Sequence, residues 1–276
     1  MDLTDRTDRI TDLERLLLLT ATVPIAVLSL GALLIPDLFA RLLGATGAHL
    51  YLYRLVGAAA LGYMAALAWA LRSTRWASVR LLIAALLGFS ASAALGAVLQ
   101  LLIGDTKGIV SVILVLGLAV SALTTALLFA HRATSRSASN ISRWLVGFFV
   151  GATLVALPFA FVPLFFPAAF AHAFGLRATD LLLYRLGGAE LAGYVVLGIL
   201  EIQSRSSVEI HPAAIMVLFF NSVAVLASLL AMVAGERSPL AYVVAAASGA
   251  VAVVTLLALT RRTGGHLFRD EASPAV

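Results

Sequence analysis

The chain has 276 residues, of which 62% are hydrophobic and only 12% are charged, and its net charge is +5 at pH 7. A soluble domain carries about 25% charged residues, so this composition excludes a water-soluble globule, which needs more polar surface than the chain provides. The absence of cysteine excludes disulfides, iron–sulfur clusters and thiol nucleophiles.

The apolar residues are grouped in long runs, each close to the ~20 residues with which a helix crosses the hydrocarbon core. A membrane helix satisfies its own backbone hydrogen bonds, and the runs lack the alternation of barrel strands. The sequence therefore predicts an all-α polytopic membrane protein. Thr11 and Glu14 fit a capping box at the start of the helix that leads into the first span. Eight transmembrane helices are expected at residues 16–35, 51–71, 80–103, 108–130, 144–166, 181–202, 212–234 and 239–260.

The two halves of the sequence match each other at an offset of 131 residues. Leu183–Tyr194 aligns with Leu52–Tyr63 without a gap, and 13 of 28 positions are identical between 36–63 and 167–194. Two unrelated apolar sequences would match many leucines by chance, but they would not also align Pro, Gly, Tyr and Arg at one fixed offset. The pattern predicts an internal duplication, with two four-helix repeats in one chain.

An even number of spans in each repeat means that both repeats enter the membrane from the same side. They are therefore expected to be parallel, with a pseudo-two-fold axis along the membrane normal. Lys and Arg number 13 on the side of the N-terminus and 6 on the other, which predicts a plasma (inner) membrane protein with both termini cytoplasmic. The expected divisions are a cytoplasmic arm 1–15, a first repeat 16–130, a linker 131–143, a second repeat 144–260 and a cytoplasmic tail 261–276.

The outer loops 36–50 and 167–180 share a pattern of their own. Each begins with Pro and reaches a Gly, Gly44 or Gly175, after about two turns. Pro at the first position and Gly just past the end are typical of a helix, so each loop is predicted to contain a short one.

Glu190 marks a difference between the halves, because its counterpart is Ala59. It lies near the middle of its predicted span, where an acidic side chain costs about 2.5–3.5 kcal/mol on insertion scales. We therefore expect it to face the helix bundle rather than lipid. Helical spacing puts it on one face with Gly187, Tyr194, Gly198 and Glu201.

Two interpretations of Glu190 stay open. In the first, Glu190 lines a polar pocket between the halves with Asn221 and Arg54, where it binds a small ligand or carries a proton. Arg185 and Tyr194 complete this candidate ligand-binding set. In the second, Glu190 is a neutral side chain that is hydrogen-bonded across helices and serves packing.

Other polar residues in the predicted spans can be explained by structural roles as well as by ligand binding. Arg54 and Arg185, near the outer ends of their spans, form either a paired cationic site for an anionic ligand or contacts with loop carbonyls. Tyr63 and Tyr194 lie deeper and need hydrogen-bond partners if they are buried. Gln100 is near a span end and is expected to be solvated.

The sequence predicts no catalytic residue, no metal site and no cofactor. The known hydrolase, phosphate-binding and zinc-protease motifs do not occur in it. Its five histidines fall in loops or at span ends, with no two on one span, which argues against bis-histidine haem and His-rich metal sites.

Each half reads as a span, then Pro-x-x-Phe with a Gly, then Tyr-Arg-Leu-x-Gly-Ala at the start of the next span. This pattern resembles the small four-helix bacterial membrane proteins of broadly DoxX-like type. The resemblance rests on one motif in each half, and it implies a fused pair of such units. It supplies no catalytic residues.

The first functional interpretation is a non-enzymatic membrane scaffold or accessory subunit with a membrane-protein partner. The alternative is a carrier or binder of a small or lipidic molecule at the seam between the repeats. A third is a membrane enzyme with a lipid or quinone-like substrate. Expected partners are the lipid bilayer, with anionic lipid at cytoplasmic arginines such as Arg261 and Arg262, and no nucleic acid.

Overall fold

The computed structural model describes residues 9–42, 49–105, 107–132, 143–204 and 207–263. In these ranges the protein is all-helical, and its one β-type pairing is an isolated bridge between Arg9 and Arg75. Eight of the helices are long and apolar enough to cross a membrane, as the sequence predicted. The α-helices are α1 Asp12–Leu34, α2 Pro36–Leu42, α3 Leu50–Arg72, α4 Arg80–Leu102, α5 Gly108–Ala130, α6 Arg143–Phe165, α7 Pro167–Ala173, α8 Leu181–Gln203, α9 Ser207–Val233 and α10 Pro239–Thr263.

The helix ends follow local sequence signals. The capping box at the start of α1 is confirmed: the Thr11 amide donates to the Glu14 carboxylate at 2.8 Å, and the Thr11 hydroxyl accepts from the Glu14 amide at 3.3 Å. The two predicted short helices are also confirmed as α2 and α7. Gly175 follows α7 with φ +65°, a conformation in which glycine avoids a Cβ clash, whereas Gly44 lies outside the described ranges.

The long helices divide into an inner and an outer set. The apolar stretches of α3, α4 and α8 are 56%, 61% and 67% buried, against 11% for α10 and 17% for α5. The outer helices therefore present most of their apolar surface outward, as a bilayer requires.

The inner contacts connect the two halves of the chain. α4 packs along α8, and α9 packs along α3, while α1 and α6 cover α3 and α8 from outside. Gly62 and Gly193 make this approach possible: a Cβ on Gly62 would lie 2.9 Å from the Met216 carbonyl oxygen, and one on Gly193 would meet the Ala85 carbonyl. The third long helix of each half thus packs on the second long helix of the other.

The boundaries of the arm, linker and tail stay predictions. Residues 1–8 of the arm, 133–142 of the linker and 264–276 of the tail lie outside the described ranges.

Candidate functional site

A cavity of about 160 Å³ lies among α6, α8, α9 and α10, and we call it the lateral cavity. Its lining residues on α10 run from Val243 to Leu259, about 24 Å of helix at 1.5 Å per residue, so it is long and narrow. Aliphatic and aromatic side chains form most of the wall, including the rings of Phe148, Phe149, Phe159 and Phe220.

The lateral cavity opens toward the bilayer between α6 and α10. Val155 on α6 and Val243 on α10 both line it, yet they are 52% and 40% exposed. Neighbouring lining residues such as Ala156 and Val251 are also only partly buried. The cavity is therefore accessible from the apolar outer surface of α6 and α10.

Polar groups gather where α8 ends and α10 approaches its end. Glu201 and Thr255 line the cavity there and are only 3% and 4% exposed. The Glu201 Oε1 and Thr255 Oγ1 atoms have no hydrogen-bond partner in the part of the chain that the structure describes. In contrast Thr124, which occupies the position matching Thr255 in the first half, bonds its own helix at the Val120 carbonyl at 2.8 Å.

Two further polar side chains on the wall have already used a donor. The Thr153 hydroxyl donates to the Phe149 carbonyl at 2.7 Å, and the Asn221 amide nitrogen donates to the Val217 carbonyl at 2.8 Å. Their oxygen lone pairs remain as acceptors. The wall therefore offers acceptor oxygens, and it also keeps donors, namely the second N–H of Asn221 and the hydroxyls of Ser248 and Thr255.

Small residues help to create the space. Ala214 and Ala258 line the cavity, and the residues 131 positions earlier are Ile83 and Leu127, which are buried at 0% and 4% exposure. Gly198 also lines the cavity, but the Thr153 side chain fills the space beside it, since an added Cβ would meet the Thr153 hydroxyl. The first half thus carries larger buried side chains at the positions that match the two alanines in the sequence.

The candidate residues Tyr194 and Asn221 both line the lateral cavity. Tyr194 meets its counterpart Tyr63 at the centre of the molecule, with ring centroids 5.1 Å apart. The expected partners of these tyrosines are confirmed: Tyr63 donates to the Glu190 carbonyl at 2.8 Å and Tyr194 to the Ala59 carbonyl at 3.0 Å.

Glu190 is fully buried, as expected, and lines a second, smaller cavity of about 100 Å³ that we call the seam cavity. Both carboxyl oxygens lack hydrogen-bond partners among the described residues. Neither Asn221 nor Arg54 bonds the Glu190 carboxyl group, and neither lines the seam cavity, since Asn221 lies on the wall of the lateral cavity instead. The two cavities share four wall residues, Phe159, Leu191, Phe220 and Val244.

Arg185 makes a polar connection between the halves that the sequence did not reveal. Its Nη1 donates to the Gln100 side-chain oxygen, and the Gln100 nitrogen donates to the Asp105 carboxylate at 2.9 Å. The expectation that Gln100 is solvated is wrong, since it is only 4% exposed and is held between these partners. The hydrogen bond from Gln100 is the main cause that lowers the pKa of Asp105. Arg54 is half-buried on α3.

Glu201 and Thr255 are absent from the residues that sequence reasoning chose. For Glu201 a signal existed, because it shares a helix face with Glu190 and Tyr194. Thr255 carried none, since a threonine in an apolar helix ordinarily bonds its own backbone. No group of three or more metal-ligating side chains forms within the described ranges.

Comparisons with known proteins leave the site to be judged on its geometry. No family model matches the chain, and neither the curated proteins nor the solved structures give a match.

Proposed function

We propose that this protein binds a small amphipathic molecule that enters the lateral cavity from the bilayer. The observation that carries the proposal is the pair of buried oxygens of Glu201 and Thr255, which have no hydrogen-bond partner among the described residues, on the wall of a mostly apolar cavity. A ligand with a polar head and an apolar body fits this distribution of surface.

The energetics favour an occupant. A buried polar group without a partner costs about 1–3 kcal/mol, and more if it is charged. A ligand that bonds both Glu201 and Thr255 removes this cost while its apolar part replaces contacts missing along the wall. A dry protein cavity of about 150 Å³ is large enough for a benzene ring, so the lateral cavity suits a compact head or a single chain.

The alternatives draw less support from the described residues. A scaffold role predicts exposed apolar faces, but any membrane helix requires them for contact with lipid. An enzyme requires acid and base groups aligned on a reacting atom, and the described residues show no such alignment. We therefore place a binder first, at the lateral cavity among helices of the second half rather than at the seam between the repeats, and we keep the scaffold as the alternative.

The candidate residues take different parts in this proposal. Tyr194 and Asn221 contact the ligand from the wall of the lateral cavity. Glu190 lines the adjoining seam cavity, which extends the space available to a larger occupant. Arg54 and Arg185 serve structure, and Arg185 does so through Gln100.

We further infer that the chain arose by duplication, with two parallel repeats. The bounds of α6, α7 and α8 equal those of α1, α2 and α3 plus 131 residues, and the reciprocal tyrosine bonds keep the same offset. With both termini cytoplasmic, as the distribution of Lys and Arg favours, the Glu201 end of the lateral cavity lies toward the cytoplasm.

A matched pair of variants tests binding. Ala258→Leu introduces the side chain that fills the equivalent space in the first half, and Ala246→Leu adds the same side chain to an exposed position of α10 outside the cavity wall. Native mass spectrometry of protein released from its own membranes should detect a small molecule on the wild type and on Ala246→Leu, and none on Ala258→Leu. Equal retention by all three proteins would contradict the proposal.

A further inference from the structure

The lateral cavity also carries information about the charge of its ligand. Glu201 is the one acidic residue on the wall, and neither Arg nor Lys occurs among the described residues that line it. The wall also contains one histidine, His211, whose ring packs edge-on against Trp69 with ring centroids 5.5 Å apart.

Glu201 supplies a strong acceptor at one end of the cavity, and further acceptor oxygens lie along the wall. The Thr153 hydroxyl and one N–H of Asn221 are bound to backbone carbonyls of their own helices, which leaves the two side-chain oxygens available as acceptors. The Glu201 Oε1 atom is a further acceptor without a partner in the described ranges. A ligand head that bonds the Glu201 carboxyl oxygen brings an N–H or O–H donor.

The aromatic side chains on the wall favour a cationic ligand head over a neutral hydrogen-bond donor. Phenylalanine rings line the cavity along α6 and α9, and the Tyr194 ring packs on that of Phe220 with ring centroids 4.8 Å apart. Aromatic faces attract a cation within about 6 Å, and the attraction grows when water is excluded. A neutral alcohol gains hydrogen bonds from the acceptors but not this additional attraction.

We propose that the ligand of the lateral cavity is a lipophilic amine, whose ammonium group pairs with the Glu201 carboxylate and donates to the Thr255 hydroxyl while its hydrocarbon part lies along α6 and α10. This inference rests on the proposed binding function and specifies the chemical class of the ligand. No covalent step is involved, and the ion pair carries no net charge, so its burial costs less than that of an ammonium or carboxylate alone.

The test uses three probes with the same twelve-carbon chain and different heads: dodecylamine, 1-dodecanol and dodecanoate. The full-length protein in lipid nanodiscs is titrated with each probe, and bound probe is counted by native mass spectrometry. Wild type should bind dodecylamine at least tenfold more tightly than dodecanol, and dodecanoate most weakly.

Variants assign the preference to the named atoms. Glu201→Gln keeps the size of the side chain and should lower dodecylamine affinity at least tenfold while leaving dodecanol affinity within about twofold. Thr255→Val keeps the carboxylate and should lower dodecylamine affinity several-fold. If Glu201→Gln fails to fold, the amine assignment is tested by the ratio of wild-type affinities for dodecylamine and dodecanol and by the dodecylamine affinity of Thr255→Val.

The outcomes separate the two proposals. Equal binding of amine and alcohol, or preference for dodecanoate, overturns the amine assignment, and the binding function stands as long as Ala258→Leu abolishes that binding. If Ala258→Leu and Ala246→Leu bind all three probes as the wild type does, the cavity is not the site and both proposals fail.

Discussion

Tyr63 and Tyr194 donate their hydroxyl hydrogen bonds reciprocally, each to the backbone carbonyl four residues before the other tyrosine. In an α-helix that carbonyl also accepts the amide of the residue four positions later. Each tyrosine hydroxyl therefore bonds the helical turn that precedes the other tyrosine. The two bonds fix the register of α3 against α8. The arrangement supports the proposed duplication, because each bond is the other displaced by 131 residues.

The reciprocal bonds predict matched losses of stability. Tyr63→Phe and Tyr194→Phe should each lower the free energy of unfolding by about 0.5–1.5 kcal/mol, because each removes one hydrogen bond and leaves the ring packing in place. Reversible unfolding in mixed micelles measures the change. Tyr242→Phe, at a position that is 54% exposed, is the control and should have no effect. A loss from only one of the two buried variants would contradict the reciprocal arrangement.

The close approach of α8 to α4 predicts that Gly193→Ala is more damaging than the tyrosine changes. An added Cβ would meet the Tyr63 hydroxyl and the Ala85 carbonyl, so the helices must separate. Overpacking of this kind costs about 1–3 kcal/mol. Gly151→Ala is the control, because nothing lies within 4 Å of its added Cβ. If the same unfolding assay gave equal stabilities for the two variants, the packing described for Gly193 would be wrong.

A buried ion pair joins α4 to α9 and predicts a large effect at Glu209. The Glu209 carboxylate lies 2.8 Å from Arg80 Nη2, accepts from the Ser204 hydroxyl, and is 3% exposed. Glu209→Ala should cost about 3 kcal/mol, the lower end for a broken buried pair, because the Arg80 side chain remains 21% exposed. Lys107→Ala, which loses only a surface pair with Asp105, should cost less than about 1 kcal/mol.

Asp105 gives a dependence of stability on pH. Its pKa is lowered, first by the hydrogen bond from Gln100 and further by the Lys107 amide and charge. A carboxylate whose folded pKa lies below its unfolded pKa stabilises the protein above the unfolded value, and this contribution disappears as pH falls through the folded value. Wild type should therefore lose more stability than Asp105→Asn between about pH 5 and pH 3. Gln100→Met should reduce the difference, and identical slopes for wild type and Asp105→Asn would refute the argument.

Much of the fold followed from one-dimensional patterns. Apolar runs near ~20 residues predicted the eight long helices, and Pro with a later Gly predicted α2 and α7, because these signals act within a few turns of the chain. The partners of Arg185 and Glu190 did not follow. Arg185 bonds Gln100, which is 85 residues away, because α4 packs on α8 of the other half. Sequence spacing places residues on a helix face, but it does not determine which helix covers that face.

The candidate site was only partly predictable for the same reason. Glu190, Asn221 and Tyr194 stood out as polar residues in apolar spans, and they lie on the walls of two adjoining cavities. The cavity itself depends on small side chains on its wall, namely those of Ala214 and Ala258. Small residues in membrane helices ordinarily indicate close packing, so an opening becomes visible only when the neighbouring helices are in place.

The most direct test of the account is an experimental structure of the protein in nanodiscs made with its own membrane lipids. The account predicts an elongated density along α10 from Val244 to Thr255, with its polar end within hydrogen-bonding distance of Glu201 Oε1. A structure in which α6 closes against α10 and leaves no space beside Glu201 would contradict it.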